Sequence, residues 1–402
     1  RHTGGLFFVC CRVMPVTRFD GFVQKFQRPS AVSRYHAGME SVLQTFSERI
    51  RDAAARKKPL RLRGGGTKDF YGQALKGDVL DTRAYHGVIS YEPSELVITV
   101  RAGTSLAEVE ALLAKQGQCL AFEPPHFAAA GAKATVGGMV AAGLAGAARA
   151  SVGSVRDFVL GVRMLNGQGQ DLTFGGQVMK NVAGYDVSRL MACSLGTLGM
   201  ITEVSLKVLP ITPAQATLAC LRVSQQEALD LLNRWGGQPL PLNASAWVHD
   251  TTAEPVQDAL YVRLRGAQAA VKAAIARMQA DVQAMGGEVM HVDEGEIDVD
   301  ADWRASGEQT LPFFANPPSS EVCLWRLSVP QTTPALEVPR AWGSPYIEWH
   351  GAQRWYWAPA SAAGAIRHAA HSAGGHATLF RCSTDYGMQD KSVGVFAPLD
   401  AV

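Results

Sequence analysis

The chain has 402 residues, 47% hydrophobic and 18% charged, enough to bury more than one core and unlike a disordered or coiled-coil sequence. Its 38 basic and 36 acidic side chains leave a formal charge of +2, so no concentrated basic surface is implied and a nucleic-acid partner is excluded as a class. The longest stretch without Asp, Glu, Lys or Arg, from Ala134 to Ala148, is interrupted by glycines and falls short of the roughly 20 residues a spanning helix requires, so no direct membrane span is expected.

The first 38 residues show no clean period and lack the basic region, apolar core and small-residue cleavage site of a signal peptide. They are read as an extension, either poorly ordered or translated from an early start. From Met39 the spacing of Val42, Leu43, Phe46 and Ile50 predicts a helix. Short strands follow at 60–63, 79–80, 87–90 and 95–101. Thr104 is placed to cap a helix whose apolar stripe is Leu106, Val109 and Leu113. A strand at 158–165, an NGQG turn at 166–169 and a returning strand at 171–174 form a hairpin, and 202–209 alternates as a closing strand. Asp186 or Ser188 is positioned to cap a short helix.

After Pro210 and Pro213 the texture changes. Strands at 216–223 and 261–265 alternate with helices at 226–234 and 267–285, which predicts a second domain with helices on one face of a sheet. Its last third is rich in tryptophan, with strands near 321–329, 345–350 and 353–358 and a helix at 360–373. Seven cysteines, at 10, 11, 119, 193, 220, 323 and 382, are odd in number and scattered, which suggests reduced thiols and no zinc or iron–sulfur ligand set. HAAH at 368–371 merely sets two histidines near one helix face, so no metal site is expected.

Three glycine-rich segments carry the chemistry. In LRLRGGGTKDFYG (60–72), Gly64, Gly65 and Gly66 follow a strand and free several backbone N–H groups to converge on an anion, with the Thr67 hydroxyl as a further donor. A tight surface turn is the plainer alternative. In 133–157, glycines at 137, 138, 143, 146 and 153 let backbone lie against a large flat group, the alternative being a helix crossing lined by small residues. The segment 184–210 contains a Gly196–Gly199 turn into the closing strand. Two such clusters in one domain favour a bulky phosphorylated cofactor.

Together with VRAGTSLAEVEALLAKQGQCLAFEPP (100–125), TVGGMVAAGLAG (135–146) and the long run 166–210, these motifs resemble the FAD-binding domain of the vanillyl-alcohol oxidase and p-cresol methylhydroxylase (PCMH-type) flavoprotein family. Within it they resemble the E subunits of bacterial glycolate oxidases, with IEWHGAQRWYW (347–357) extending the likeness into the second domain. The resemblance implies an α+β fold: a PCMH-type FAD-binding domain (39–213) of two α+β subdomains, divided near Glu95, followed by a smaller α/β cap-like or partner-contacting domain (214–402). It implies non-covalent FAD, with Gly64, Gly65, Gly66 and Thr67 around the diphosphate and backbone of Thr135, Val136, Gly137 and Gly138 beside them. Gly143 and Gly146 would lie near the cofactor, Ile201 would approach it from the closing strand, and Pro124 with Pro125 would form the preceding turn. His126 is read as a loop histidine and not as an attachment point.

The resemblance further implies an oxidoreductase acting on glycolate and similar 2-hydroxy acids, in a complex with a sister FAD-binding subunit and an iron–sulfur subunit, cytoplasmic or peripheral at the inner membrane. The family's histidine-rich and acidic substrate constellation is missing, so no catalytic residue is assigned; its C-terminal tail is not found either, the chain stopping at FAPLDAV, which is read as a truncated end or as a failure of the resemblance there. A self-sufficient dehydrogenase using His350, Arg354 or Tyr356, and a structural subunit without FAD, are the alternatives. Trp349, Arg354, Trp355 and Trp357 suggest a partner surface, or a strand pair filling the second domain's core.

Overall fold

The computed structural model describes residues 31–128, 131–176, 185–292, 298–382 and 393–398. The N-terminal extension up to residue 30, part of the 166–210 run (177–184) and the last residues of FAPLDAV lie outside them. The chain divides into two units, 1–41 and 42–402. Of the first, the described residues contain only the opening of the helix Ala31–Ala55; the described strands all lie in the second.

Within that helix Leu43, Phe46 and Ile50 are buried, each worth about 1.5–3 kcal/mol as a fully buried apolar side chain. Strand β1 (Leu60–Arg63) pairs in parallel with β2 (Asp78–Asp81), and the loop between them carries the GGGT sequence. Asp69 folds this loop back on β1, accepting from Arg61 at 2.5 Å and from Arg63 at 2.7 Å. The next sheet along the chain is five-stranded and antiparallel, built from β3 (Val88–Glu92), β4 (Val97–Arg101), β6 (Val159–Leu165), β7 (Asp171–Gly175) and β8 (Met200–Lys207) in the order β3-β4-β8-β6-β7. The two-residue strands β5 (Gln118–Cys119) and β9 (Leu209–Pro210) pair beside it. Because β3 belongs to this second sheet, the division between subdomains falls before Val88 and not near Glu95, which sits in the single turn joining β3 to β4.

The NGQG hairpin forms, with Asn166 Oδ1 accepting from the Gln168 and Gln170 N–H groups. Thr104 does not cap the helix Leu106–Ala114. Its N-cap is Ser105, without a side-chain bond, while the Thr104 hydroxyl donates to the Arg101 carbonyl at 2.6 Å and accepts from the Gly87 N–H at 2.8 Å. A hydroxyl next to a strand end has two backbone partners within reach there, and they outcompete the cap. Asp186 does cap its short helix, accepting from the Arg189 N–H.

The sheet of the second domain has eight strands, all antiparallel: β10 (Ala214–Leu221), β11 (Leu242–Asp250), β12 (Gln257–Gly266), β13 (Glu288–Val292), β14 (Val322–Ser328), β15 (Tyr346–Glu348), β16 (Gln353–Pro359) and β17 (His376–Cys382), ordered β13-β10-β12-β11-β15-β16-β14-β17. Alternation assigns each strand's side chains to two cores. Trp247, Leu260, Val262, Trp325 and Tyr356 pack under the helices Gln225–Gly236, Gln268–Gln283 and Ala363–Ser372. Ala244, Ala246, Leu324, Tyr346, Trp355 and Trp357 face the other way, onto the helices Val299–Glu308 and Pro312–Ala315 and onto Ala142, Leu144 and Ala147 of the first domain. Helices therefore cover both faces of the sheet, not one.

Cys323 and Cys382 form a disulfide between β14 and β17, so the expectation of seven reduced thiols does not hold. The two stand opposite each other in the ladder with Cα atoms 4.0 Å apart, a pairing hidden by a separation of 59 residues.

Candidate functional site

The first two glycine segments meet. A Cβ on Gly65 would land on the Lys133 carbonyl and one on Gly64 would land on the Thr135 hydroxyl, so the loop after β1 rests directly on the segment before the helix Val136–Ala142. Gly66 has a left-handed φ of +74°, accessible to glycine at little cost. Among the described residues, the N–H groups of Gly65, Gly66 and Thr67 make no hydrogen bond and remain available to a ligand. The second segment is differently disposed: Val136 N–H donates to the Thr104 carbonyl, Gly137 N–H to the Ala102 carbonyl at 2.8 Å and Gly138 N–H to the Thr135 hydroxyl. What these residues offer is a close-packed wall. Gly143 ends the helix with φ +63° against Cys193, and Ile201 lies buried on β8.

Between the two segments runs the turn containing Pro124 and Pro125, both buried. Glu123, in a left-handed conformation just before it, is tied to the eight-stranded sheet: Arg263 Nη2 donates to both carboxylate oxygens at 2.6 and 2.8 Å, and Arg265 Nη1 donates to one at 2.7 Å. The Ala148 N–H donates to the same carboxylate. Gly146, whose carbonyl accepts from the Trp349 indole at 3.0 Å, packs on Glu123. One side chain thus fastens the Gly146–Ala148 part of the second glycine segment to the eight-stranded sheet.

A model of the FAD binding domain family matches residues 43–190. Along nearly the whole chain, 358 residues are 42% identical to the glycolate oxidase subunit GlcE of Escherichia coli (strain K12), covering 89% of this chain and 90% of that one. The chain belongs to the GlcE family. A D-lactate dehydrogenase of Archaeoglobus fulgidus is 28% identical over 217 residues, 53% of this chain and 47% of that protein. Two solved structures share the fold at low identity: an alkyldihydroxyacetonephosphate synthase (TM-score 0.59, 15% identical, covering 82% of this chain and 69% of that one) and p-cresol methylhydroxylase with substrate bound (TM-score 0.54, 14% identical, 71% and 65%).

This GlcE-family chain binds FAD through its first domain, and the geometry fits such a cofactor. Free N–H groups on a glycine loop suit a diphosphate, and positions without Cβ atoms permit close approach. The candidates of the second domain are different in character. His350 is buried between Ser245 and Ser151, its Nδ1 and Nε2 each 2.9 Å from a hydroxyl, and burial lowers its pKa to about 4. Burial pushes the Tyr356 hydroxyl up to about 12. Arg354, with no exposed surface, donates to the carbonyls of Gly351, Thr333 and Pro334 and serves as an internal brace. Trp349, Trp355 and Trp357 are buried as well, so this cluster belongs to the core and is not a free partner surface.

Sequence reading missed the side chains that line the interface of the two domains. Arg326 donates to the Tyr71 hydroxyl at 3.0 Å and lies over the Tyr71 and Phe380 rings. Glu348 is buried and accepts from the Trp355 indole at 2.8 Å and from Gln353, its carboxyl pushed up by desolvation. Glu308 accepts from the His126 and Phe127 N–H groups at 2.6 Å each, and the His126 ring is paired with Glu110 at 2.9 Å, which raises its pKa. Neither motif nor spacing marks Arg326, Glu348 or Glu308 in the sequence.

Proposed function

We propose that the chain is the FAD-bearing subunit of a complex that oxidises glycolate and similar 2-hydroxy acids to 2-oxo acids. The observation that carries this reading is the 42% identity to a glycolate oxidase subunit over nine-tenths of both chains. FAD held by this chain would supply a two-electron acceptor for the α-hydrogen that can also return electrons singly, which suits a partner with an iron–sulfur relay. In this reading residues 39–213 hold the cofactor. Gly64, Gly65, Gly66 and Thr67 surround its diphosphate; Pro124, Thr135, Val136, Gly137, Gly138, Gly143 and Gly146 form the wall against which it lies, with Ile201 behind. FAD is non-covalent, and residues 214–402 cover the site and contact partners.

The partners are a sister flavoprotein subunit and an iron–sulfur subunit. Among the described residues no helix is long and apolar enough to cross a membrane; in this reading any attachment to the inner membrane runs through the complex. Co-expression with those two subunits, followed by glycolate-dependent reduction of an artificial acceptor, tests the assignment. The expected outcome is a yellow heteromeric complex whose turnover disappears when this chain is omitted. Full turnover without it would remove the proposal.

A further inference from the structure

The tryptophan-rich motif IEWHGAQRWYW contains a corner that local sequence preference does not account for. Between β15 and β16, Trp349, His350 and Gly351 are left-handed in succession, with φ of +54°, +56° and +98°. This conformation crowds Cβ against a carbonyl oxygen and is ordinarily left to glycine or asparagine, so two bulky residues there are held by their surroundings. Gly351 alone suits the conformation, and it has no space for a side chain either: a Cβ would lie 2.8 Å from Leu229 and 3.1 Å from the Gln331 carbonyl.

Much of what holds the corner belongs to the first domain. The Trp349 indole donates to the Gly146 carbonyl at 3.0 Å, and the Arg149 guanidinium lies 4.4 Å from the centre of the Trp349 ring. The His350 imidazole has one consistent set of bonds. Ser151 Oγ donates to the Leu242 carbonyl at 2.8 Å and so accepts from His350 Nε2, which leaves Nδ1 to accept from the Ser245 hydroxyl. The Ser245 oxygen in turn accepts from the His350 backbone N–H at 3.0 Å. Residues 146, 149 and 151 stand on one short segment, the end of the glycine run and the helix Arg149–Val152 that follows it. Gly146 also packs on Glu123, whose carbonyl oxygen and Cβ stand 2.7 and 2.9 Å from where a Cβ would be. A carboxylate clamp and a strained corner thus hold the same segment to the eight-stranded sheet.

We propose that this corner positions the cofactor wall: Trp349 and His350 fix the segment 146–151, and through it the close backbone approach that FAD needs at Gly143 and Gly146. They are positioning residues, and a change in either reaches the cofactor by loosening backbone against which a large flat group must lie. Packing of the second domain alone would be met by a relaxed turn between β15 and β16, whereas the left-handed corner aims indole and imidazole at the first domain. The inference rests on the proposed function for the placement of Gly143 and Gly146 beside FAD.

The test titrates the full-length apo chain with FAD, following flavin fluorescence at a temperature where the melting curve of each variant shows it folded. Trp349→Phe keeps a ring over Arg149 and removes the bond to Gly146; it should weaken FAD binding about fivefold or more, the worth of roughly one buried hydrogen bond. At FAD saturation its visible circular dichroism should differ from that of the parent, because the surroundings of the flavin have shifted. Trp325→Phe is the control. It removes a like bond, from indole to the Ala358 carbonyl at 3.1 Å, in the core on the opposite face of the sheet. It should lower the melting temperature while leaving FAD affinity and the flavin spectrum as in the parent. Ser151→Ala, at an exposed position, decides the matter if Trp349→Phe does not fold, and should weaken FAD binding several-fold. Parental FAD affinity in Trp349→Phe or in Ser151→Ala, or an equal loss in Trp325→Phe, would overturn the inference. Weakened binding in Gly146→Ala beside parental affinity in Trp349→Phe would remove the corner alone, whereas parental affinity in Gly146→Ala would take this stretch out of the cofactor wall and the inference with it. Turnover by the reconstituted complex upholds the proposed function in either case, so the two failures are separable.

Discussion

At Gly65 the volume a methyl group would need is already filled by the Lys133 carbonyl, so even alanine must displace one of two abutting loops. Aspartate adds a charge beside the expected diphosphate. Gly65→Asp should therefore abolish FAD retention, read as the flavin-to-protein absorbance ratio after gel filtration. Gly167→Ala, where nothing stands within 4 Å, should leave that ratio unchanged. Residue-scale legibility was uneven for a physical reason. Three glycines in a row are visible in any sequence because the missing side chain is itself the signal. His350 attracts notice by residue type, but the two serine hydroxyls that hold it come from positions 105 and 199 residues away. Its lowered pKa carries a definite sign. Unfolded chains take up the proton near pH 6.5 while the folded imidazole resists until about pH 4, so stability should decline as pH falls through that window. At about 1.4 kcal/mol per pKa unit the contribution reaches roughly 3 kcal/mol. Urea unfolding of His350→Gln should lack this part of the acid-side slope; an identical slope in parent and variant would contradict the burial argument.

Among the elements, those with a strong period and marked ends were readable. The helix Gln225–Gly236 starts with a capping box in which Ser224 and Glu227 exchange bonds, and it buries Ala228, Leu229, Leu231, Leu232 and Trp235. Strand β11 was not readable, because NASAWVHD is rich in residues with little strand preference; its position is dictated by β12 and β15 on either side. The same limitation hid β13, β17 and the helix Val299–Glu308, and with the last of these Glu308. Contacts between elements depend on such unmarked partners, as the Glu123 clamp illustrates. Arg263 is 1% exposed, and its guanidinium relies on Glu123 for its only ion pair with a carboxylate among the described residues. Glu123→Ala should strand that charge and cost about 3–5 kcal/mol in denaturant unfolding. Adding Arg263→Met should recover much of the loss, since it replaces the orphaned charge with an apolar side chain. A double variant as unstable as the sum of two independent losses would show that the pair is not coupled.

For the molecule as a unit, the decisive question is whether one chain contains a complete oxidation site. Removing hydride from the α-carbon of glycolate requires the hydroxyl proton to leave in step, so a base must stand within hydrogen-bond reach of that hydroxyl. Among the described residues the candidates are committed elsewhere. His350 has both nitrogens engaged, Tyr356 holds its proton up to about pH 12, Glu348 is enclosed by Trp355 and Gln353, and Lys68 is a cation at neutral pH. The described residues therefore offer no ready acceptor for the proton, and absence of turnover by the isolated chain is the consequence. Anaerobic stopped-flow mixing of the FAD-loaded chain with glycolate or D-lactate should leave the flavin bands unbleached over seconds. Bleaching should appear only after the sister subunits are added, if this flavin is reduced at all. Rapid bleaching by the isolated chain would instead mark it as a complete catalytic unit and would require one of those enclosed groups to take up the proton.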